Sequence, residues 1–162
     1  MAALAVVAML ASAWMWPVID EVETGITPEY PEIQPHYYST DPQRIYEEVV
    51  AGVEDLSGWE IADDQLSVLR INARRHGTLW GVDEVTVRVE PVTEFVSQVH
   101  VKSASSGRLS PTDFGRNARN IEQFLGELDR RLGAVKFEPG QPDSEEQDDE
   151  PTEVLEEEVG EG

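Results

Sequence analysis

The stretch Val85-Thr-Val-Arg-Val-Glu90 alternates apolar and polar side chains at every position. Successive side chains of a β-strand point to opposite faces, so this alternation predicts a strand with one buried face. A second alternation covers residues 95–102, where Phe95, Val99 and Val101 form the apolar set. The two segments predict neighbouring strands of an antiparallel sheet.

Two further strands are predicted on the N-terminal side of this pair. Residues 66–75 place Leu69, Ile71 and Ala73 on one face, and residues 59–62 form a short strand-like segment. The sheet is therefore predicted to have four strands.

Helical patterns lie on both sides of the predicted strands. Asp41 followed by Pro42 is typical of a helix N-cap and first turn, and Ser110-Pro111-Thr112-Asp113 repeats this signal with an acid placed to close a capping box. Apolar residues then recur at helical spacing in each segment: Ile45, Val49, Val53 and Leu56 in the first, and Phe114, Ala118, Ile121, Leu125, Leu128 and Leu132 in the second. The order αββββα predicts an α+β two-layer sandwich over residues 39–137, with two helices on one face of the antiparallel four-stranded sheet.

An N-terminal apolar helix is predicted before this domain. Residues 2–19 carry no charge, and 18 helical residues span about 27 Å, close to the thickness of a bilayer core. Trp14 and Trp16 lie near the end of the stretch, where aromatic rings favour the membrane interface, and Pro17 follows. Residues 1–19 are thus expected to be a transmembrane anchor, with a cleaved signal peptide or a buried soluble helix as alternatives.

Two polar segments flank the predicted domain. Residues 20–38 contain Pro28, Pro31 and Pro35 among acids, which favours an extended linker. Residues 138–162 carry 12 acids and no base, which is typical of a disordered acidic tail. The acids that directly follow the apolar stretch favour an extracytoplasmic domain.

Composition excludes several classes of site. The chain has no cysteine, so disulfides, thiolate catalysis and Cys-based metal sites are excluded. The net charge is -21, whereas residues 40–137 carry 16 acids and 12 bases. This acidity disfavours nonspecific binding to nucleic acid.

Two segments carry a resemblance to a known family. They are Val99-His-Val-Lys-Ser-Ala-Ser-Ser-Gly-Arg108 and Thr112-Asp-Phe-Gly-Arg-Asn-Ala-Arg119, and Thr78-Leu-Trp-Gly-Val-Asp-Glu-Val-Thr-Val-Arg-Val precedes them. Together they resemble domain-of-unknown-function family 1499, which typically shows Arg-Ser-x-Ser-Arg, a Gly-containing turn and Asp-Leu-Gly-x-Asn-Ala-Arg. The resemblance covers residues 40–132 and implies a small bacterial envelope-associated protein with an N-terminal apolar helix. It implies no activity, substrate or cofactor.

This sequence departs from the family pattern at several positions. Lys102 stands where the family usually has Arg, and the second motif Arg is displaced to Arg108. Phe114 replaces the usual Leu, and Val82 precedes Asp83 where paired acids are common. Lys does not reproduce the bidentate contacts of Arg, so a role that needs a guanidinium at position 102 is not expected here.

The family motif contains the candidate ligand-binding residues. A Ser- and Gly-rich turn with cations that leads into a helix is a common way to hold an anion. The competing interpretation is structural, with helix capping and ion pairing by the same side chains. The candidates are Lys102, Ser103, Ser105, Arg108, Asp113, Arg116, Asn117 and Arg119.

Other constellations are weaker. The uncovered sheet face is predicted to be polar, and its residues are Arg70, Asn72, Arg74, Arg88, Glu90, His100 and Lys102. No metal-ligand spacing or nucleophile elbow is present, so no catalytic residue, metal or cofactor is predicted. A hydrolase that combines Ser103 or Ser105 with His100 and Asp113 is the least favoured alternative.

The sequence therefore predicts a membrane-anchored, non-enzymatic binding or interaction module of the cell envelope. Its expected partners are the membrane, through the N-terminal helix, and an envelope protein or a small anionic ligand. No nucleic-acid partner is expected. The alternative functions are a domain that binds a small anion through residues 102–119 and a hydrolase-type enzyme.

Overall fold

The computed structural model describes residues 19–77, 81–106 and 115–139. The helices and strands of these ranges are numbered in chain order. They are β1 (Glu21–Glu23), β2 (His36–Tyr38), α1 (Pro42–Asp55), β3 (Trp59–Gln65), β4 (Arg70–His76), β5 (Val82–Pro91), β6 (Ser97–Ser105), α2 (Arg116–Leu132) and β7 (Lys136–Phe137). Two short 3₁₀ turns, Leu66–Val68 and Gly133–Val135, complete the described structure.

The seven strands of the described ranges form one antiparallel sheet. The strand order is β3-β4-β5-β6-β2-β7, and β1 also pairs with β6. Val87 is the register partner of both Ile71 and Val101, so these three side chains share one face. Strands β1 and β2 pair with different halves of β6, since Glu21 lies opposite Ala104 and His36 lies opposite Val99.

The core lies between one face of the sheet and the two helices. The alternating valines of β5 and β6 are buried, as the sequence pattern predicts. From the helices, Ile45, Val49 and Val53 of α1 and Ile121 and Leu128 of α2 are buried in the same cluster. Strand alternation and helical spacing thus correctly assign both partners of the core.

The α+β class, the antiparallel sheet and the two helices are confirmed, but the prediction of four strands is wrong. The additional strands β1, β2 and β7 contain three, three and two residues. Such short segments show no period-2 pattern, and their strand conformation comes from pairing with β6 and with each other. Strands β1 and β2 lie inside residues 20–38, the segment expected to be a linker, so part of that segment belongs to the sheet.

The predicted N-terminal apolar helix and the acidic tail from residue 140 onward lie outside the described residues. Within the described ranges, no helix has the length and apolar character needed to cross a bilayer.

Two local predictions also differ from the structure. Helix α2 begins at Arg116 after Gly115, without a side-chain cap, and the predicted capping segment 110–113 lies outside the described residues. The alternation predicts Phe95 in a strand, but Phe95 lies in the turn between β5 and β6 and is 71% exposed. The backbone NH groups of Phe95 and Val96 both donate to the Thr93 hydroxyl, which favours a turn over a longer strand.

Candidate functional site

A buried polar network joins the ends of β5 and β6 to the first turns of α2. The Ser103 hydroxyl donates to Asn117 Oδ1 at 2.8 Å and accepts from Asn120 Nδ2 at 3.1 Å. Asn120 Nδ2 also donates to Asp83 Oδ2 at 2.9 Å. All four side chains are almost fully buried, so their hydrogen bonds compensate for lost hydration.

Arg116 and Ser105 lie at the open side of this network. Arg116 Nη2 donates to Asp83 Oδ1 at 2.7 Å and to Ser105 Oγ at 2.9 Å. Ser105 Oγ also accepts from Asn117 Nδ2 at 3.1 Å. The Nε atom of Arg116 is buried and has no hydrogen-bond partner among the described residues.

A surface cleft of about 600 Å³ lies beside Arg116, between the end of β4 and helix α2. Arg75 is the register partner of Asp83, so its side chain projects from the face of the sheet that carries the helices. Arg75 makes no ion pair or side-chain hydrogen bond with any described residue. The described residues that line the cleft are Arg75, Gly77, Arg116, Arg119, Asn120, Glu122 and Gln123.

The described residues of the cleft carry a net positive charge. Among the described residues, three arginines and one acid, Glu122, line it, and Asp83 is paired with Arg116. Guanidinium groups bind phosphate and carboxylate oxygens through paired N–H donors. The arrangement is therefore suited to a small anion.

The structure brings part of the predicted ligand set together. Ser103, Ser105, Arg116 and Asn117 belong to the buried network, and Arg119 lines the adjoining cleft. Arg108 and Asp113 lie outside the described residues.

Lys102 does not join this group. Side chains alternate along β6, so Lys102 projects from the opposite face to Ser103 and Ser105. Lys102 Nζ instead contacts Glu21 Oε1 at 2.8 Å. The pleat of the strand therefore separates Lys102 from Ser103 and Ser105, its neighbours in the sequence.

Three further residues of the site are absent from the predicted set. Asn120 follows Asn117 by three positions, so helical spacing alone places both amides on the same face. Asp83 and Arg75 become neighbours only through the pairing of β4 with β5, which no local pattern encodes.

The predicted polar sheet face exists and has its own depression of about 450 Å³. Arg88 and Lys102 of this face are paired with acids of β1, whereas Arg70, which also lines the depression, has no ion pair with a described residue. Arg88 Nη2 contacts Glu23 Oε1 at 2.8 Å, in addition to the pair between Lys102 and Glu21. These contacts compensate much of the positive charge that the sequence places on this face.

The geometry separates the residues of the hydrolase alternative. His100 lies on the outer face of β6, whereas Ser103 and Ser105 face the helices. The Ser103 hydroxyl donates to an amide oxygen rather than to a base. In the part of the chain that the structure describes, no group of three or more His, Cys, Asp or Glu residues is placed to hold a metal ion.

Comparison with known proteins places the chain among proteins of unknown function. A family model described as "Protein of unknown function (DUF1499)" matches residues 7–128, about three quarters of the chain. No curated protein sequence matches the chain.

Several solved structures are similar to this chain at low sequence identity. The di-domain aromatase/cyclase BexL from the BE-7585A biosynthetic pathway has a TM-score of 0.47 and 13% identity, and the match covers 70% of this chain and 46% of that chain. The chain therefore spans less than half the length of BexL. A protein from Thermus thermophilus has a TM-score of 0.42 and 15% identity over 70% of this chain and 97% of that chain. The Zhui aromatase/cyclase from Streptomyces sp. R1128 has a TM-score of 0.40 and 13% identity over 69% of this chain and 94% of that chain.

Proposed function

This chain belongs to the DUF1499 family, whose function is unknown, and we propose that it is a non-enzymatic binding module tethered to a membrane of the cell envelope. Its ligand is a small anion, and the binding site is the cleft lined by Arg75, Arg116 and Arg119. The observation that carries this proposal is that three arginines are among the described residues that line one cleft.

The lack of an ion-pair partner for Arg75 among the described residues supports a role in anion binding rather than a purely structural one. Arg131 of α2, by contrast, is engaged by the carboxylate of Glu48 at 3.1 Å. Arg75 has no such partner among the described residues, although it lies at the end of a paired strand. It remains available to an anion that enters from solvent.

Arg116 supplies a fixed second donor. Asp83 and Ser105 hold its Nη2 atom, so little side-chain entropy remains to be lost when a ligand binds. Its buried Nε atom is a further donor without a partner in the described structure. In such a site, Arg116 would orient the anion, and Arg75 could adjust its position to contact it.

The tether is proposed from the sequence. Residues 2–19 carry no charge and are long enough for a bilayer core. The acids that follow favour an extracytoplasmic domain, and the acidity of the whole chain disfavours nucleic acid as a partner. We also propose an envelope protein as a further partner of the module.

The binding site is tested on the full-length chain in nonionic detergent. Inorganic phosphate and citrate are titrated separately while thermal unfolding is followed. A ligand at one hundred times its Kd adds about 2.7 kcal/mol to the free energy of unfolding, so we expect Tm to rise by several degrees and to keep rising with the logarithm of the ligand concentration.

Adjacent arginines provide the matched variants. Arg75→Ala removes an arginine from the cleft. Arg74→Ala removes one from the opposite, exposed face of the sheet, where Arg74 forms only a long ion pair of 3.8 Å with Glu60. The shift should be lost in Arg75→Ala and retained in Arg74→Ala. The absence of any shift, or equal loss in both variants, would contradict the proposed anion site.

The tether is tested by fractionation of cells that produce the full-length chain. The protein should remain with the membranes during extraction at alkaline pH and should be released by detergent. A fully soluble protein with an intact N-terminus would contradict the tether. The anion site would then be tested by the titration alone.

A further inference from the structure

The position where the chain leaves the apolar stretch is fixed against the domain. The carbonyl oxygen of Asp20 accepts from the backbone N–H of Ser105 at 2.9 Å and from Asn117 Nδ2 at 2.9 Å. Ile19 packs against the core, and β1 begins at Glu21. No long spacer therefore separates residues 2–19 from the sheet.

The arginine cleft lies at the same end of the sheet. Ser105, Asp83 and Arg75 are consecutive register partners across β6, β5 and β4, so they share the end at which β1 begins. Arg116 directly precedes Asn117, the residue that holds Asp20. We call this end, formed by Asp20, Arg75, Asp83, Ser105 and Arg116, the proximal end.

The proximal end would lie at the level of the lipid headgroups. A bilayer has a hydrocarbon core of about 30 Å within a total thickness of about 40–45 Å, so each headgroup layer is about 5–8 Å deep. With the apolar residues before Ile19 proposed as the membrane-spanning segment, Asp20 lies just outside the hydrocarbon core. Because Asn117 contacts Asp20 directly, the neighbouring Arg116 starts within that layer.

The chemistry of the cleft matches what this layer contains. Phosphate oxygens are the anionic groups that every phospholipid headgroup presents, and guanidinium groups bind them through paired donors. Glu21 at the same end is already paired with Lys102, which reduces its repulsion of an anionic headgroup.

From this placement we infer that the ligand of the Arg75–Arg116–Arg119 cleft is the phosphate of a phospholipid headgroup in the membrane that holds the chain. The inference rests on the proposed function, both on the tether and on the anion cleft. The module would thus bind a lipid of the same membrane that anchors it.

The test uses the full-length chain in nanodiscs of phosphatidylcholine with phosphatidylglycerol. A photoreactive amino acid is placed at Gln123, which lines the cleft, and separately at Val92, an exposed residue near the opposite end of β5. After illumination, mass spectrometry measures the fraction of protein carrying a lipid adduct. In parallel, inorganic phosphate and glycerol 3-phosphate are titrated against the chain in detergent.

The expected result is a lipid adduct at Gln123 at least several-fold above that at Val92. This adduct should fall to the Val92 level with Arg75→Ala and persist with Arg74→Ala. Equal adducts at both positions would overturn the inference. An adduct at Gln123 that persists in the Arg75→Ala variant would overturn it as well. Binding of soluble phosphate without a specific adduct would overturn the lipid inference and leave the anion site intact, whereas failure of both measurements would remove both proposals.

Discussion

Arg116 forms an ion pair with Asp83 beside the cleft, with Nη2 2.7 Å from Oδ1. The side chain of Asp83 is 2% exposed and that of Arg116 is 14% exposed. The pair connects the start of β5 to the start of α2, two elements that are distant in sequence. It fixes one guanidinium of the cleft and fastens the helix to the sheet at the same time.

Asp83→Asn should therefore destabilise the protein more than an ordinary surface change. The substitution keeps the size of the side chain but leaves the largely buried Arg116 without its counter-charge. Breaking a buried ion pair from one side costs about 3–5 kcal/mol. We expect a loss near the lower value, because the amide retains part of the hydrogen bonding, and chemical denaturation of the full-length chain measures it.

The neighbouring carboxylate provides the control for this change. Glu84 is exposed on the opposite face of β5, so Glu84→Gln should alter the free energy of unfolding by less than about 0.5 kcal/mol. Similar effects of the two variants would contradict a special role for the pair between Asp83 and Arg116.

Two glycines of the α2 region should respond to alanine with opposite signs. Gly115 precedes the helix with φ 72°, a left-handed conformation that costs an L-residue about 1–2 kcal/mol, and an added Cβ would lie 3.4 Å from Tyr30 Oη. Gly126 lies inside the helix, with nothing within 4 Å of an added Cβ, so alanine there should stabilise by about 0.5–1 kcal/mol. Thermal and chemical unfolding of Gly115→Ala and Gly126→Ala provide the comparison. A stabilising Gly115→Ala would be inconsistent with this helix start.

The larger elements could be predicted because burial leaves a periodic trace in the sequence. One face of β5 is buried along most of its length, so its valines alternate, and the α2 stripe recurs at helical spacing. Strand β1 contains only Val22 as a buried residue between two acids, a pattern too short to distinguish from a linker. The sheet therefore has more strands than its periodic segments.

The site was only partly predictable for a related reason. The inward position of Asn117 follows from its spacing to Ile121, and the structure places it in the buried network. The cleft depends on Arg75 lying opposite Asp83, which is a property of strand register. Sequence neighbours such as Lys102 and Ser103 project from opposite faces, so a run of candidate residues does not amount to a site.

The packing of α2 predicts a large loss of stability for Leu125→Ala. Leu125 is 4% exposed within the core cluster, and truncation of such a residue costs about 2–5 kcal/mol through lost burial and the resulting cavity. Gln123→Ala on the exposed side of the same helix should cost less than about 0.5 kcal/mol. Urea denaturation of both variants tests the assignment of the helix face, which would be refuted by a small effect at Leu125.

The interactions of Asp129 predict how the free energy of unfolding depends on pH in the acidic range. Burial alone would raise the pKa of this carboxyl, but hydrogen bonds from Lys136 and Tyr38, together with the nearby His36, hold the pKa below its usual value. A carboxylate with a lowered pKa stabilises the folded state above its unfolded pKa of about 3.9, and this contribution is lost as the pH falls further. The stability difference between the wild-type protein and Asp129→Asn should thus be fully present at neutral pH and shrink below about pH 4. Free energies of unfolding measured across this range provide the test, and a difference that stays constant or grows in acid would contradict the role given to Asp129.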